Sequence, residues 1–569
     1  MQPKKKLRVA SLFSILCALS LFIAACGGAS TTSTQKNPAA APADKQILHI
    51  PLEGGDFDSL DPALTSGGLG APYNIIFNGL VTTQDDGSII DQLAASHSVS
   101  SDGLTYTFTL RPNLKFSDGT PLTASDVAYS INRTLLPATQ SDVRVYLSLL
   151  KDFDKVTSGT IPTLIGDSLI VKDDKTISIV LSKPAAYFLG ALSYSTSFVV
   201  EKKLIDKYGN KWTDHLDEGG GCGPFKVKSY GHTTKLVLVP NPYYFGFQPK
   251  LTEIQYIIAA DRDSNYKAFQ VGQFDLAPVP PSQDEVAATK PGYQLVPALA
   301  SRFIGMNYLS KPLDNIKIRQ AFALAINKDL VINHIIGKFV TPSNHIVPKG
   351  IPGYNPNLTG PTGVMGTAGD QAKAKQLLQE GLQEAGYSSV SQLPSISITY
   401  SIDYKAGADT ISAIAEEWKQ VLGISVKLIG VHETDLIKQE ADTVGHSGPL
   451  QMWYGNWGAD YPDPQDWLTL FFGKGTDHNT FNYGQNNSSD AAQQQAVQAE
   501  MAQADGESDN ATRIKLYNDA EQKIVNDVGW ITTYQSSYAY SVNPKLQNWR
   551  INSLGALATQ DWANIYFAQ

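Results

Sequence analysis

Apolar and polar residues alternate along residues 105–110, 176–181, 235–239, 254–258 and 396–400. Period two puts every second side chain on one face, so each stretch predicts a half-buried strand. Between them the apolar spacing widens to three and four, predicting helices over 125–136, 318–336, 371–385, 408–422 and 513–528. The first of these opens on Thr123 and Asp126, the spacing of a capping box in which hydroxyl and carboxylate each accept from the other residue's backbone N–H. Strands and helices interleave through the whole length, which is the pattern of a mixed α/β class. The Gly/Pro-rich tract 352–369 reads as a surface loop inside the second half, not as a boundary.

The first 25 residues break this pattern. Lys4, Lys5, Lys6 and Arg8 precede an apolar run from Leu12 to Ala25 that no acidic residue interrupts, the layout of an export signal. The run ends at Ile23-Ala24-Ala25-Cys26-Gly27, which resembles the lipobox cleaved before a cysteine that becomes lipid-modified. A plain signal peptide or a membrane span is the alternative, but the run is short for a span of about 20 residues. The expectation is therefore a signal peptide over 1–25, lipidation of Cys26 and a flexible tether over 26–45, where small and polar residues show no apolar period.

Length and composition narrow the class. The 569 residues call for several domains, and 42% hydrophobic against 17% charged residues supplies a sizeable core. Formal charge is −9; without the four basic side chains of the leader, 41 basic face 54 acidic residues, or −13, a poor match to nucleic acid. Of three cysteines, Cys17 leaves with the leader and Cys26 takes lipid, so Cys222 stands alone as a buried thiol with no disulfide partner.

Catalytic chemistry is hard to find. No P-loop and no strand-borne Gly-x-Gly-x-x-Gly occurs, and the nine His form no metal-binding spacing. Neither a cofactor nor a metal is expected. Ser148-Leu149-Leu150-Lys151 and Ser508-Asp509-Asn510 echo penicillin-binding enzymes, but no Lys-Thr-Gly completes the set. Asp460, Asp463 and Asp466 would suit a glycoside hydrolase only if two of them faced each other across a sugar, which one turn-rich segment does not favour.

Four ordered blocks carry a resemblance. They are residues 101–127 (SDGLTYTFTLRPNLKFSDGTPLTASDV), Gly223-Pro224-Phe225-Lys226 with Asn241-Pro242-Tyr243-Tyr244, Ile318-Arg319-Gln320-Ala321-Phe322 with Ala325-Ile326-Asn327, and Trp457-Gly458-Ala459-Asp460-Tyr461-Pro462-Asp463-Pro464. In these, and from Leu60-Asp61-Pro62 onward, the chain resembles the extracytoplasmic solute-binding proteins of family 5, the oligopeptide- and dipeptide-binding type that serves ABC importers. The resemblance implies a type II two-lobe fold with a cleft. Lobe one would take 46–300 plus 536–569, including an extra subdomain near 89–212, and lobe two 301–535, with crossovers near 299–306 and 535–541. It also implies a monomer that closes on an oligopeptide and delivers it to permease and ATPase subunits on other chains. Carriers of oligosaccharides, nickel chelates or opines, and receptors without transport, remain alternatives.

The same resemblance selects site residues. Asp460 matches the carboxylate that meets a peptide's α-amino group; a turn-capping role beside Pro462 is the competing explanation. Trp457 would wall the pocket unless it belongs to the core, with Gly458, Ala459 and Tyr461 beside it. The Ser66-Gly67-Gly68 turn would offer backbone groups to an extended ligand, though an ordinary loop has the same composition. Where oligopeptide binders hold the ligand carboxylate with basic side chains, this chain has Tyr454 and Gly407.

Overall fold

Thr105–Leu110 is a strand that buries Tyr106, Phe108 and Leu110 and turns its threonines outward, as the alternation requires. The computed structural model in which it is seen describes residues 38–53, 55–65, 72–259, 261–337 and 339–569. The leader 1–25, Cys26, most of the tether, and Ser66, Gly67 and Gly68 lie outside the described residues.

Thr105–Leu110 pairs antiparallel with Ala94–Val99 and Thr176–Val180, and Leu169–Asp173 completes a four-stranded sheet. Helix Ala124–Leu135 packs on it through Val127, Ala128 and Ile131. Its capping box is formed: the Thr123 N–H donates to Asp126 at 2.8 Å. A second four-stranded sheet sets Ile47–Leu52 parallel to Glu253–Ile258, followed by Lys235–Pro240 and Phe225–Gly231. The third sheet has seven strands, with Trp530–Val542, Tyr293–Met306, Met452–Gly458, Ile396–Ser401 and Val426–Val431 as successive neighbours.

Three large apolar cores and one small cluster of Tyr266, Ala277, Val279 and Ala287 follow. One lies under the Thr105–Leu110 sheet, and one joins the Ile47–Leu52 sheet to Trp549, Trp562 and Phe567 near the C-terminus. The third fills the segment from Leu299 to Tyr534. The long strands Tyr293–Met306 and Trp530–Val542 pair along most of their length and run from the second core into the third, with a register shift between Pro297 and Ser301. The entry to the first described strand and the last residues meet in the second core: the Gln46 amide donates to Phe567 O at 2.9 Å, and Phe567 N donates back to Gln46 Oε1 at 2.8 Å.

One expected helix is corrected. Residues 318–336 form two helices, Ile316–Leu324 and Lys328–Ile335. Asn327 ends the continuity, because its side chain accepts from Leu330 N at 3.1 Å and starts a new helix as an N-cap. Arg319 on the first of these is wholly buried. Its guanidinium donates to Asp490 at 2.6 Å and to the carbonyls of Asp527 and Leu313, and lies over the Tyr308 ring, so the arginine of this block is a core fastener. Cys222 is a buried free thiol whose burial pushes its pKa up to about 12, leaving it unreactive as a nucleophile.

Candidate functional site

Strand Met452–Gly458 lies between Tyr293–Met306 and Ile396–Ser401 and delivers the chain into the turn that holds three acids. Asn456 and Gly458 on this strand are exposed, while Trp457 between them points the other way. The Trp457 indole meets Phe471 edge-on at 4.8 Å and His478 at 5.7 Å, so most of its contact is with the aromatic core behind the sheet. Beyond the strand, Ala459 N donates to Leu299 O at 2.7 Å, which ties the turn to the neighbouring long strand.

The three acids separate into different tasks. Asp463 is ion-paired with Arg513 at 2.6 Å and also accepts from Gln465 N. Asp466 is wholly buried and accepts from Asp460 N at 3.0 Å, fixing the turn from inside. Burial, with repulsion from Asp460, holds its carboxyl well above the ordinary range. Asp460 is half-buried and has no Lys, Arg or His ion-paired with it among the described residues. Its Oδ2 accepts instead from the phenol of Tyr146. Burial raises its pKa too, and hydrogen bonds from Tyr146 and Tyr194 act against that rise without reversing it.

Tyr146 belongs to the short helical turn Arg144–Leu147, far away in the chain, and its ring lies 4.2 Å from that of Tyr194. Asp460 and Asp466 act on both phenols, and Asp58 lies within electrostatic reach of Tyr194. Tyr461 meets the Tyr146 ring edge-on at 6.3 Å. It is buried, stacks on Tyr187 at 6.3 Å and donates to Gln465, gripping the subdomain that carries Tyr146. The Ala186 N–H donates to Asp505 O at 3.1 Å in the same contact zone.

At the other end of the strand Tyr454 is buried, with its hydroxyl 3.3 Å from Thr533 Oγ1. Gly407 lies against it: a side chain at 407 would stand 2.7 Å from the Tyr404 ring and 3.3 Å from that of Tyr454. Tyr404 therefore occupies the room a basic residue at 407 would need. The Tyr404 ring carries the Arg302 guanidinium at 4.3 Å, and its hydroxyl is 3.3 Å from that of Tyr534.

The residues Asp460, Trp457, Gly458, Ala459 and Tyr454 thus lie on one strand and its turn. Sequence reasoning missed Tyr146, Tyr194 and Arg302. Tyr146 and Tyr194 stand in segments without a distinctive motif, and Arg302 lies on a strand whose ends its own apolar pattern does not mark.

Two lobes of α/β structure joined by paired long strands, with a carboxylate between them that lacks a cationic partner among the described residues, have the architecture of a two-lobe solute-binding protein. The comparisons make the class specific. The chain belongs to the bacterial extracellular solute-binding proteins, family 5, whose model matches residues 88–479. It is 29% identical to the oligopeptide-binding protein OppA of Bacillus subtilis (strain 168) over 82% of this chain and 85% of that one. It is 27% identical to the dipeptide-binding protein DppE of the same organism, over 95% and 96%. Among solved structures, the Escherichia coli murein tripeptide binding protein MppA superposes with a TM-score of 0.73 at 24% identity, covering 93% of this chain and all of that one.

Proposed function

We propose that this protein captures oligopeptides between its lobes, closes over them by hinge motion and hands them to permease and ATPase subunits on separate chains. The observation that carries this reading is Asp460, a carboxylate at the lobe contact without a basic partner among the described residues, set among phenols. An ammonium group entering such a place loses water and gains a fixed negative charge. Extended backbone beside exposed Asn456 and Gly458 suits a peptide laid along the sheet, and the names of the relatives point to the same ligand class.

The reading divides the chain into lobe one, 46–300 plus 536–569 with a subdomain near 89–212, and lobe two, 301–535. The three large cores are separate, which supports the division, and the long strands that run from the second into the third support a hinge there. The protein acts as a monomer held to the outer face of the membrane by lipid on Cys26. Intact-mass analysis of membrane-extracted protein tests the anchor; an unmodified Cys26 on a chain that begins elsewhere would refute it.

The peptide reading is tested by calorimetric titration of a peptide mixture and of its N-acetylated counterpart into wild type and Asp460→Ala. Loss of the ammonium partner costs about 2–5 kcal/mol when the remaining charge stays buried, roughly 30-fold to a few thousand-fold in Kd. Asp460→Asn should fall between. Equal affinity of wild type and Asp460→Ala would reduce Asp460 to a turn residue and remove the main support for a peptide ligand.

A further inference from the structure

Arg302 lies on the long strand Tyr293–Met306, directly opposite Asn456 of Met452–Gly458. It is half-buried, and among the described residues its guanidinium forms no ion pair with a carboxylate. Its visible support is the face of Tyr404, 4.3 Å away, a stack that leaves the edge of the guanidinium and its N–H donors free to bind. A half-buried arginine without a counter-ion is uncommon in a chain that carries nine more acidic than basic residues. Tyr404 has a second neighbour: it lies within electrostatic reach of Arg262, which is already satisfied by Glu53 through contacts of 3.1 and 3.2 Å. Arg262 belongs to helix Arg262–Gln270, beside the Ile47–Leu52 sheet, so Tyr404 and Arg302 sit where the two lobes approach each other.

Polarity therefore runs along one strand. Asp460 stands in the turn just past its end with Asp466 bonded to its backbone, and Arg302 stands opposite Asn456, four residues back along the chain from Asp460. From Asn456 two residues continue the strand to Gly458 and two more enter the turn to Asp460, a reach of at most about 13 Å. That matches the backbone of an extended peptide of about three or four residues, at roughly 3.3–3.6 Å each. We infer that Arg302 receives the α-carboxylate of the bound peptide, so that Asp460 and Arg302 grip a zwitterion of three to four residues by its two ends. The assignment rests on the peptide reading and supplies what Tyr454 and Gly407 cannot. A carboxylate and a guanidinium edge pair through two parallel N–H···O bonds, which a stacked and immobile arginine offers with little loss of freedom.

The test uses trialanine, tetra-alanine and penta-alanine, their C-terminal amides and their N-acetyl forms, titrated into the full chain and into Arg302→Gln, Arg262→Gln and Asp460→Asn. The expected result is that wild type prefers the trialanine and tetra-alanine acids over their amides by about 10- to 100-fold, the size of a hydrogen-bonded charge pair. Arg302→Gln should abolish that preference while keeping the discrimination against N-acetyl peptides, which also shows that the variant is folded. Arg262→Gln should keep both. Equal binding of acids and amides by wild type overturns the assignment, as does loss of the preference in Arg262→Gln instead of Arg302→Gln. If N-acetylation has no effect but amidation does, the Asp460 reading fails and the Arg302 assignment stands. If no peptide binds wild type, both fall.

Discussion

Tyr146 and Asp460 stand 314 positions apart in the chain, yet the phenol of one, packed on the Thr105–Leu110 core, donates to the carboxylate of the other. The bond has two consequences for a ligand. It keeps Asp460 oriented before an amine arrives, and it forms only when the subdomain carrying Tyr146 is seated on the 459–463 turn. Tyr146→Phe removes the donor and keeps the ring that packs against Tyr194 and Tyr461. Peptide affinity should fall about 10-fold, as for a hydrogen bond to a charged group, with thermal stability close to wild type. Titration calorimetry and a melting curve on the same preparation check both parts; an unchanged Kd would mean that the tyrosine only fills space.

Affinity should also depend on pH in a defined sense. In the free protein burial lifts the Asp460 carboxyl above the ordinary carboxylate range, whereas a bound ammonium stabilises its charged form and pulls the pKa down. Between the two values binding expels a proton, so affinity falls as pH falls, by up to about tenfold per unit. Titrations in buffers of different ionisation enthalpy should report net proton release in wild type and none in Asp460→Asn. Proton uptake on binding would contradict the assignment.

How far the sequence reaches can be followed at single residues. Thr123 and Asp126 could be read directly, because a capping box is local and its partners are three residues apart. Asn327 could have been read in the same way, since Asn followed by Lys-Asp is a start signal. The apolar residues on both sides, however, continue a helical period through it. Helix Ala491–Gly506 escaped for the opposite reason: its buried side includes Gln494, Gln498 and Asp505, which no hydrophobic pattern marks. The site divides likewise. Asp460 is found through its own segment, but Tyr146 and Arg302 acquire meaning only when distant chain is brought beside them.

A buried acid on helix Asn510–Asp527 should make stability fall with rising pH over a narrow range. Glu521 is wholly enclosed and accepts from Ile346 N at 3.0 Å and Val347 N at 2.9 Å; burial pushes its pKa from 4.5 up to about 7. Between these values the native state holds a proton that the unfolded chain has released, so this group's contribution declines as pH rises from about 4.5 to 7 and is constant outside that window. Its total is ~3 kcal/mol. His345, 3.8 Å away and pushed down to about 4 mainly by burial, has the opposite slope, so the comparison must be made against wild type. Urea melts at several pH values should show Glu521→Gln gaining stability relative to wild type as pH rises through this window. A constant difference between the two proteins would show that Glu521 does not titrate there.

Gly223, in the Gly-Pro-Phe-Lys block, has a reason visible only in three dimensions. A Cβ at this position would lie 2.2 Å from the carbonyl oxygen of Ile75 and 2.6 Å from its carbon, and backbone cannot swing aside as a side chain can. Gly223→Ala should cost ~3 kcal/mol or more through overpacking. It should lower the melting temperature by several degrees, while the Arg302- and Asp460-dependent ligand preferences of the folded fraction persist. A melting curve indistinguishable from wild type would show that the segment gives way easily.

The paired bonds between Gln46 and Phe567 join partners 521 positions apart, and Trp549, Trp562 and Phe567 complete the core around the Ile47–Leu52 sheet. The first lobe to be synthesised is thus the last to be finished. Loop closure over such a separation must be achieved before those contacts repay it, which places this domain among slow, high-contact-order folds. The segment from Leu299 to Tyr534 has its own core and can form while the outer core is still waiting for its C-terminal residues. A ribosome releasing this chain therefore releases a molecule whose inner half is ahead of its outer half. Loss of the last 30 or so residues would leave the outer core open, with Phe225 lacking the Trp562 indole that meets its ring edge-on at 6.0 Å.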